Sequence, residues 1–248
     1  MLPEDISQYG YLVDRVIKLS IWGIVIVGII SFFIVFYILY KFRRTKNPFP
    51  LSDVPSGLKK VVVIDYVMII FDLILLFVST WAWFFFFVRP VEKIKKEVQE
   101  KGEKFVEVRV IGRQFFWAVE YPGKDGVFGT YDDFKLGNLL VVPEGYNVFV
   151  KLTSGDVLHS FFIPNVRIKY DVIPGRETHL WFKPVKVGKY EIACAELCGA
   201  MHYRMKGYLV VLKEQDYLKW LDSAPFSEIS FVYLEGDKIN FVRGGEMR

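Results

Sequence analysis

Between Glu191 and Met205 the chain reads Glu-Ile-Ala-Cys-Ala-Glu-Leu-Cys-Gly-Ala-Met-His-Tyr-Arg-Met, which puts Cys194, Cys198, His202 and Met205 within twelve residues. Thiolate and thioether donors combined with imidazole favour copper over magnesium or calcium. The spacing Cys-x3-Cys-x3-His-x2-Met is neither the Cys-x2-Cys of zinc knuckles and thioredoxin-like sites nor the Cys-x2-Cys-His of haem attachment. A further protein ligand has to come from elsewhere. His159, in Asp-Val-Leu-His-Ser-Phe-Phe at the end of a strand-like run, is the candidate.

The chemistry such a set supports is one-electron transfer. Two cysteine sulfurs bridging two copper ions, each ion capped by a histidine, would let both metals share one unpaired electron. A shared charge changes bond lengths little, so reorganisation is small, and rigid strands hold such a geometry better than loops. A competing reading makes Cys194 and Cys198 a structural disulfide, the usual fate of two cysteines outside the cytoplasm. His179, in Glu-Thr-His-Leu-Trp-Phe, and Met201 are read as structural residues, the latter as packing, because Met205 has the better register.

The elements that must position these residues follow from hydropathy. Ile21 to Tyr40 is a run of twenty residues without a charge, long enough as a helix to cross about 30 Å of hydrocarbon. A second apolar run, Val61 to Val88, is interrupted by Asp65 and Asp72 and ends in Trp-Ala-Trp-Phe-Phe-Phe-Phe-Val, the composition of an interfacial belt. Glu4, Asp5 and Asp14 precede the first run, against a cleavable signal peptide. Lys41, Arg43, Arg44, Lys46, Lys59 and Lys60 face a single Asp53 between the runs, which marks that loop as cytoplasmic. The expectation is a two-helix transmembrane hairpin in the cytoplasmic membrane, with the N-terminus and everything after Val88 on the outer, periplasmic side.

Residues 1–104 are thus read as an N-terminal segment, a hairpin at about 20–41 and 61–88, and a charged helical linker that lifts the next domain off the membrane. From Phe105 the runs FVEVRVIG, LLVVP, YNVFVKLTS, HLWFKP, KYEIAC and GYLVVL alternate apolar and polar residues between Gly, Pro and Ser turns, as in a β-sandwich. Residues 105–215 form this domain, and 216–248 a short helix and a tail. The segment Asp125 to Asp133 lacks the ligand spacing of a calcium loop and is read as a surface turn. A net charge of +4 is explained by the basic loop and suggests no nucleic-acid partner.

The two apolar runs followed by GRQFFWAVEYPG, DVLHSFFIPNVRIKYDVIPGR and CAELCGAMHYRMKG closely resemble the cytochrome c oxidase subunit II family, in order and spacing over nearly the whole chain. The resemblance implies an all-β cupredoxin-like Greek-key sandwich after the hairpin. It also implies a dinuclear centre of two copper ions held by His159, Cys194, Cys198 and His202, with Met205 as weak axial ligand and the Glu196 backbone carbonyl as a further one. In that family the centre takes electrons from cytochrome c or a similar carrier and passes them to the haem of subunit I, where oxygen is reduced to water. The Glu196 side chain would reach a magnesium ion shared with subunit I, and Lys169, Asp171 and Arg176 would face that subunit; further membrane subunits are expected.

Two departures from the family set further expectations. The first aromatic after the glutamine is Phe115 where relatives carry tryptophan, so electrons are expected to enter through Phe115, Trp117 or Tyr121. The proton-entrance glutamate of many relatives is missing at the second span, where Asp65 is the nearest carboxylate and the expected substitute, since an acid buried in a span is costly without a function. Two other classes fit parts of the pattern. A quinol oxidase subunit II shares hairpin and sandwich but lacks copper ligands, and a copper-storage or delivery protein would not need a face for subunit I.

Overall fold

The structure, a computed structural model, describes residues 2–43, 58–86, 90–223, 231–235 and 238–242. Contacts divide the chain into one unit of Met1–Arg15 with Val91–Arg248 and a second of Val16–Pro90.

In the second unit the apolar runs are helical. Helix α1 spans Gly10–Phe42 and α2 spans Leu58–Phe86, and α1 therefore starts about ten residues ahead of the uncharged stretch. Gly10–Lys41 is long and apolar enough to cross a membrane, and the described apolar part of α2 runs Tyr66–Trp81. The side chain of Asp65 lies outside the described residues, as does most of the basic loop.

Among the described residues of the first unit, ten strands form two five-stranded sheets. Those of one sheet are β1 (Phe105–Arg113), β2 (Phe116–Tyr121), β3 (Phe134–Gly137), β5 (Asn147–Ser154) and β8 (Thr178–Phe182), ordered β3-β2-β1-β5-β8. The other holds β4 (Leu139–Pro143), β6 (His159–Ile163), β7 (Ile168–Val172), β9 (Gly188–Cys194) and β10 (Lys206–Leu212), ordered β4-β10-β9-β6-β7. β1 pairs parallel with β5 and β10 parallel with β4, and every other pairing in these two sheets is antiparallel. The two-residue period does the sorting: Val108 and Val110 of β1, Trp117, Val119 and Tyr121 of β2, and Val148, Val150 and Leu152 of β5 are all buried.

Helix α3, Val91–Glu100, the charged helical linker of the sequence, packs on the sandwich: Val98 is buried, Lys95 pairs with Glu107 and Glu92 meets His179 on the sheet. Helix α4, Glu214–Ser223, closes one end with Tyr217 and Trp220, whose indole lies 5.3 Å from the Tyr121 ring. Beyond it the expected tail contains a hairpin, β11 (Phe231–Glu235) with β12 (Lys238–Val242).

The N-terminal residues belong to this unit. Ile6 is fully buried and exchanges backbone hydrogen bonds with Asn165 and Val185. Arg167 donates from Nε and Nη2 to the Asp14 carboxylate at 2.6 and 3.0 Å, and from Nη2 to the Pro3 carbonyl.

Candidate metal centre

β6 and β9 are neighbours in the second sheet, with Phe161 opposite Cys194, so the first residue of one strand and the last of the other meet at the same end. His159 opens β6 and is wholly buried, while Cys194 closes β9. The chain then loops through residues 195–205 before β10. The Ala195 N–H donates to the Ser160 carbonyl and the Cys194 N–H to the Met205 carbonyl, which ties both ends of the loop to the sheet. A single 3-10 turn, His202–Arg204, brings His202 back over Cys198.

The donor atoms converge. The Cys194 and Cys198 sulfurs lie 3.9 Å apart as free thiols, too far for a disulfide bond. His159 Nδ1 is 3.9 Å from Cys194 Sγ, His202 Nδ1 is 3.4 Å from Cys198 Sγ, and Met205 Sδ is 3.7 Å from Cys198 Sγ. The Glu196 carbonyl oxygen sits 3.3 Å from Cys194 Sγ. Ligand atoms of His159, Cys194 and Cys198 all fall within 4.8 Å of one another. All six sequence-predicted ligands thus meet at one place.

Burial, reinforced by the adjacent Cys194 thiol, pushes the Cys198 thiol up to about 11. Two thiols this close resist joint ionisation unless a cation sits between them. The donor set therefore fits a soft metal ion far better than it fits an empty pocket, and its mix of two sulfurs, two imidazoles and a thioether is the mix that suits copper.

The surrounding residues orient the ligands. Asp156 Oδ1 lies 2.8 Å from His159 Nε2, which assigns the ring proton to Nε2 and leaves the Nδ1 lone pair aimed at the sulfurs. Asp156 also accepts from the backbone N–H of Gln114 and of Val157. Burial would raise the Asp156 carboxyl, but the Gln114 N–H, the His159 imidazole and the Val157 N–H outweigh it and hold the pKa below the usual carboxylate range. The Gln114 side-chain amide donates to the Cys198 carbonyl. Gly112 leaves room for the site, since a Cβ there would lie 3.0 Å from the His159 ring and 3.1 Å from that of Trp117. Sequence reasoning missed Asp156, Gln114 and Gly112 as site residues, although Gln114 stands in the quoted aromatic motif and Asp156 three residues before His159.

The other expected site residues lie at varying distances. Phe115 is half-buried beside Gly199, and the Trp117 ring centroid is 5.9 Å from that of His159. Tyr121 sits four residues further along β2, about 13 Å from Trp117 by strand rise, where it stacks on Phe134 and its hydroxyl accepts from the Val141 N–H. Lys169, Asp171 and Arg176 line an open groove of about 410 Å³ with Tyr170, Ile173 and Thr178. That groove touches the ligand strand through Ser160, whose hydroxyl donates to Asp171 at 2.8 Å. Met201 is exposed rather than packed, and His179 lies between Glu92 and Glu177.

A two-sheet β-sandwich with Cys, His and Met donors gathered at the ends of β6 and β9 and in the loop before β10 is a cupredoxin-like domain. Over residues 106–213 the chain matches the family model described as cytochrome C oxidase subunit II, periplasmic domain. It is 38% identical over 138 residues to the alternative cytochrome c oxidase subunit 2 of Bradyrhizobium diazoefficiens, covering 47% of this chain and 50% of that one. It is 31% identical to cytochrome c oxidase subunit 2 of Alkalihalophilus pseudofirmus, covering 87% and 59%. The chain thus spans 50% and 59% of the length of these relatives. A solved periplasmic domain of subunit II of cytochrome oxidase from Bradyrhizobium japonicum is 31% identical, covers 49% of this chain and 94% of that one, and superposes with a TM-score of 0.44.

Proposed function

We propose that this chain is the electron-input subunit of a respiratory haem–copper terminal oxidase. It would hold a dinuclear copper centre between an external carrier, cytochrome c or a similar protein, and the haem of subunit I, where oxygen is reduced to water. The observation that carries this reading is the pair of thiols 3.9 Å apart with an imidazole Nδ1 facing each from its own side.

When bound, a copper pair supplies reversible one-electron chemistry. The chain's own residues do the rest. His159, Cys194, Cys198 and His202 would hold the copper ions, with Met205 and the Glu196 carbonyl as further donors within reach. Asp156 fixes the His159 tautomer, and complete burial of His159 with near-complete burial of Cys198 and Met205 excludes water, which keeps the site's polar reorganisation small. Phe115 and Trp117 are the aromatic groups next to the ligands and the entry candidates we favour. Tyr121, with its engaged hydroxyl, is the remote one. The half-exposed Glu196 carboxylate is this chain's candidate ligand for a magnesium ion at the subunit I interface.

The transmembrane hairpin belongs to the same proposal. Ile6 and Asp14 are held to the sandwich that begins after Val91, so both ends of the stretch containing α1 and α2 start from the same folded body. If α1 crosses the membrane, α2 must cross back. Asp65 would then lie in the returning span as the carboxylate at the proton entrance, a role tested by proton uptake in Asp65→Asn.

The deciding experiment is copper analysis and electron paramagnetic resonance of the full chain in detergent, loaded with copper and partly oxidised. Two coppers per chain with a seven-line hyperfine pattern are expected. A single-copper spectrum, or a Cys194–Cys198 disulfide that survives reductant and copper, would overturn the reading.

A further inference from the structure

The residues around the centre carry information about what docks there. Of the carboxylates that could contribute to an acidic docking face, Glu120, Asp132, Asp133 and Asp156 are each engaged within the protein, which leaves half-exposed Glu196 as the acid of the loop after Cys194. Glu120 pairs with Lys135. Asp132 and Asp133 accept hydrogen bonds from the backbone and Thr130 hydroxyl of their own loop. Asp156 is occupied by His159 and the Gln114 N–H.

The large side chains that the ligand loops present to solvent are mostly apolar. Leu197, next to Cys198, is 77% exposed, Tyr203, next to His202, is 73% exposed, and Met201 on the other side of His202 is 40% exposed. Val157 and Leu158, leading into His159, are 37% and 38% exposed. Gln114 joins these loops into one surface, its side chain donating to the Cys198 carbonyl and its backbone N–H to Asp156. The neighbouring cations are Arg113, exposed and lying along Gly155, and Arg204, exposed beside Tyr203; neither has an ion pair among the described residues.

We infer that this face docks a small electron carrier through an apolar contact over the copper ligands, and that the carrier's redox edge is apolar with an acidic rim rather than a lysine-rich one. The inference rests on the electron-input role and names the partner of that site. Exposed apolar groups over a buried centre let a carrier approach closely once water is displaced, and salt does not screen that contact. Unpaired arginines at the edge attract carboxylates and repel lysines, which acts chiefly on association rate. The step moves one electron from the reduced carrier to the centre and makes or breaks no bond.

The test uses the oxidase complex containing this chain, in detergent, with stopped-flow reduction by two cytochromes c of similar size and potential, one with an acidic rim and one with a lysine rim. The acidic-rimmed carrier should react about tenfold faster at low ionic strength, with a rate that falls as salt is added. R113E/R204E should reverse that preference, while L197S/Y203S should slow both carriers. A lysine-rimmed carrier that reacts faster, and slows with salt, would overturn the inference, as would arginine variants that leave both rates unchanged. A small phenylenediamine reductant separates the two levels: if it fails to bleach the copper absorbance, the electron-input role itself fails. If it bleaches the centre and the carriers are not discriminated, only the docking chemistry fails.

Discussion

Asp156 Oδ1 lies 2.8 Å from His159 Nε2 on the side of the imidazole away from Cys194. The carboxylate, fixed in turn by the N–H groups of Gln114 and Val157, therefore decides which ring nitrogen is free to bind metal. Asp156→Asn can present an amide donor to Nε2, which would move the ring proton to Nδ1 and block the ligand atom. Copper affinity should fall about 10- to 100-fold, the usual effect of losing such a partner. Asp156→Glu should recover part of it. Competitive copper titration against a chelator reads the change, and an unaltered affinity in Asp156→Asn would remove the carboxylate from any role in ligand alignment.

Gly199 gives a second prediction. It follows Cys198 at φ +136°, and a Cβ there would stand 2.7 Å from the Gln114 amide nitrogen and 3.2 Å from the Phe115 ring. Gly199→Ala therefore has to shift either the loop or the hydrogen bond that holds the Cys198 carbonyl. Backbone strain of this kind costs about 1–3 kcal/mol, and here it falls on a ligand loop. A lowered Tm together with a broadened copper spectrum is expected, and a variant with both unchanged would show that the loop tolerates movement at this point.

The loop 123–133 makes a pH-dependent contribution. Its carboxylates serve its own turn: Asp132 accepts from Thr130 and from the Lys124 N–H, and the Thr130 hydroxyl in first place holds its pKa below the usual range. A carboxyl depressed in the folded state stabilises fully above the unfolded pKa, and that stabilisation disappears as pH falls through the folded value. Asp132→Asn should lower Tm at pH 7 and lose its difference from the parent chain below about pH 4. Paired melting curves across that range measure it, and a difference that stays constant with pH would assign the loop's stability to packing alone.

The donor cluster was legible in the sequence because Cys194, Cys198, His202 and Met205 fall within twelve residues, where spacing limits the chemistry. A strand such as β1 was legible because one buried face imposes a two-residue period. Asp156 and Gln114 escaped notice because what makes them important is a contact between separate loops, and single polar residues carry no period. The packing of α3 escaped for a related reason. A charged run reads as solvated, yet Val98 is buried, Lys95 pairs with Glu107 on the next element, and Glu92 meets His179 on a strand far along the chain. Met201 was read as packing because Met205 has the better register, but it is exposed just before the 3-10 turn at His202.

The N-terminal strap was the least legible element and leads to the strongest topological prediction. In Leu-Pro-Glu-Asp-Ile-Ser only Ile6 is buried, and its partners, together with the Asp14 clamp on Arg167, lie about 150 residues away. The Arg167 side chain is only 7% exposed, so the ion pair is poorly screened and strengthens the attachment. Ile6→Ala should cost about 2–5 kcal/mol, the range for a large-to-small change at a fully buried site. It should also free the N-terminus for limited proteolysis, while leaving copper content intact because the ligands are carried by other strands. The proposed spanning pair predicts that the loop between α1 and α2 is on the side of the membrane opposite the sandwich. Single cysteines introduced at Thr45 and Ser56 should react with an impermeant maleimide only in inverted vesicles, whereas one at Lys124 should react only in right-side-out cells or vesicles. Labelling of all three from the same side would mean that α1 and α2 do not form a spanning pair.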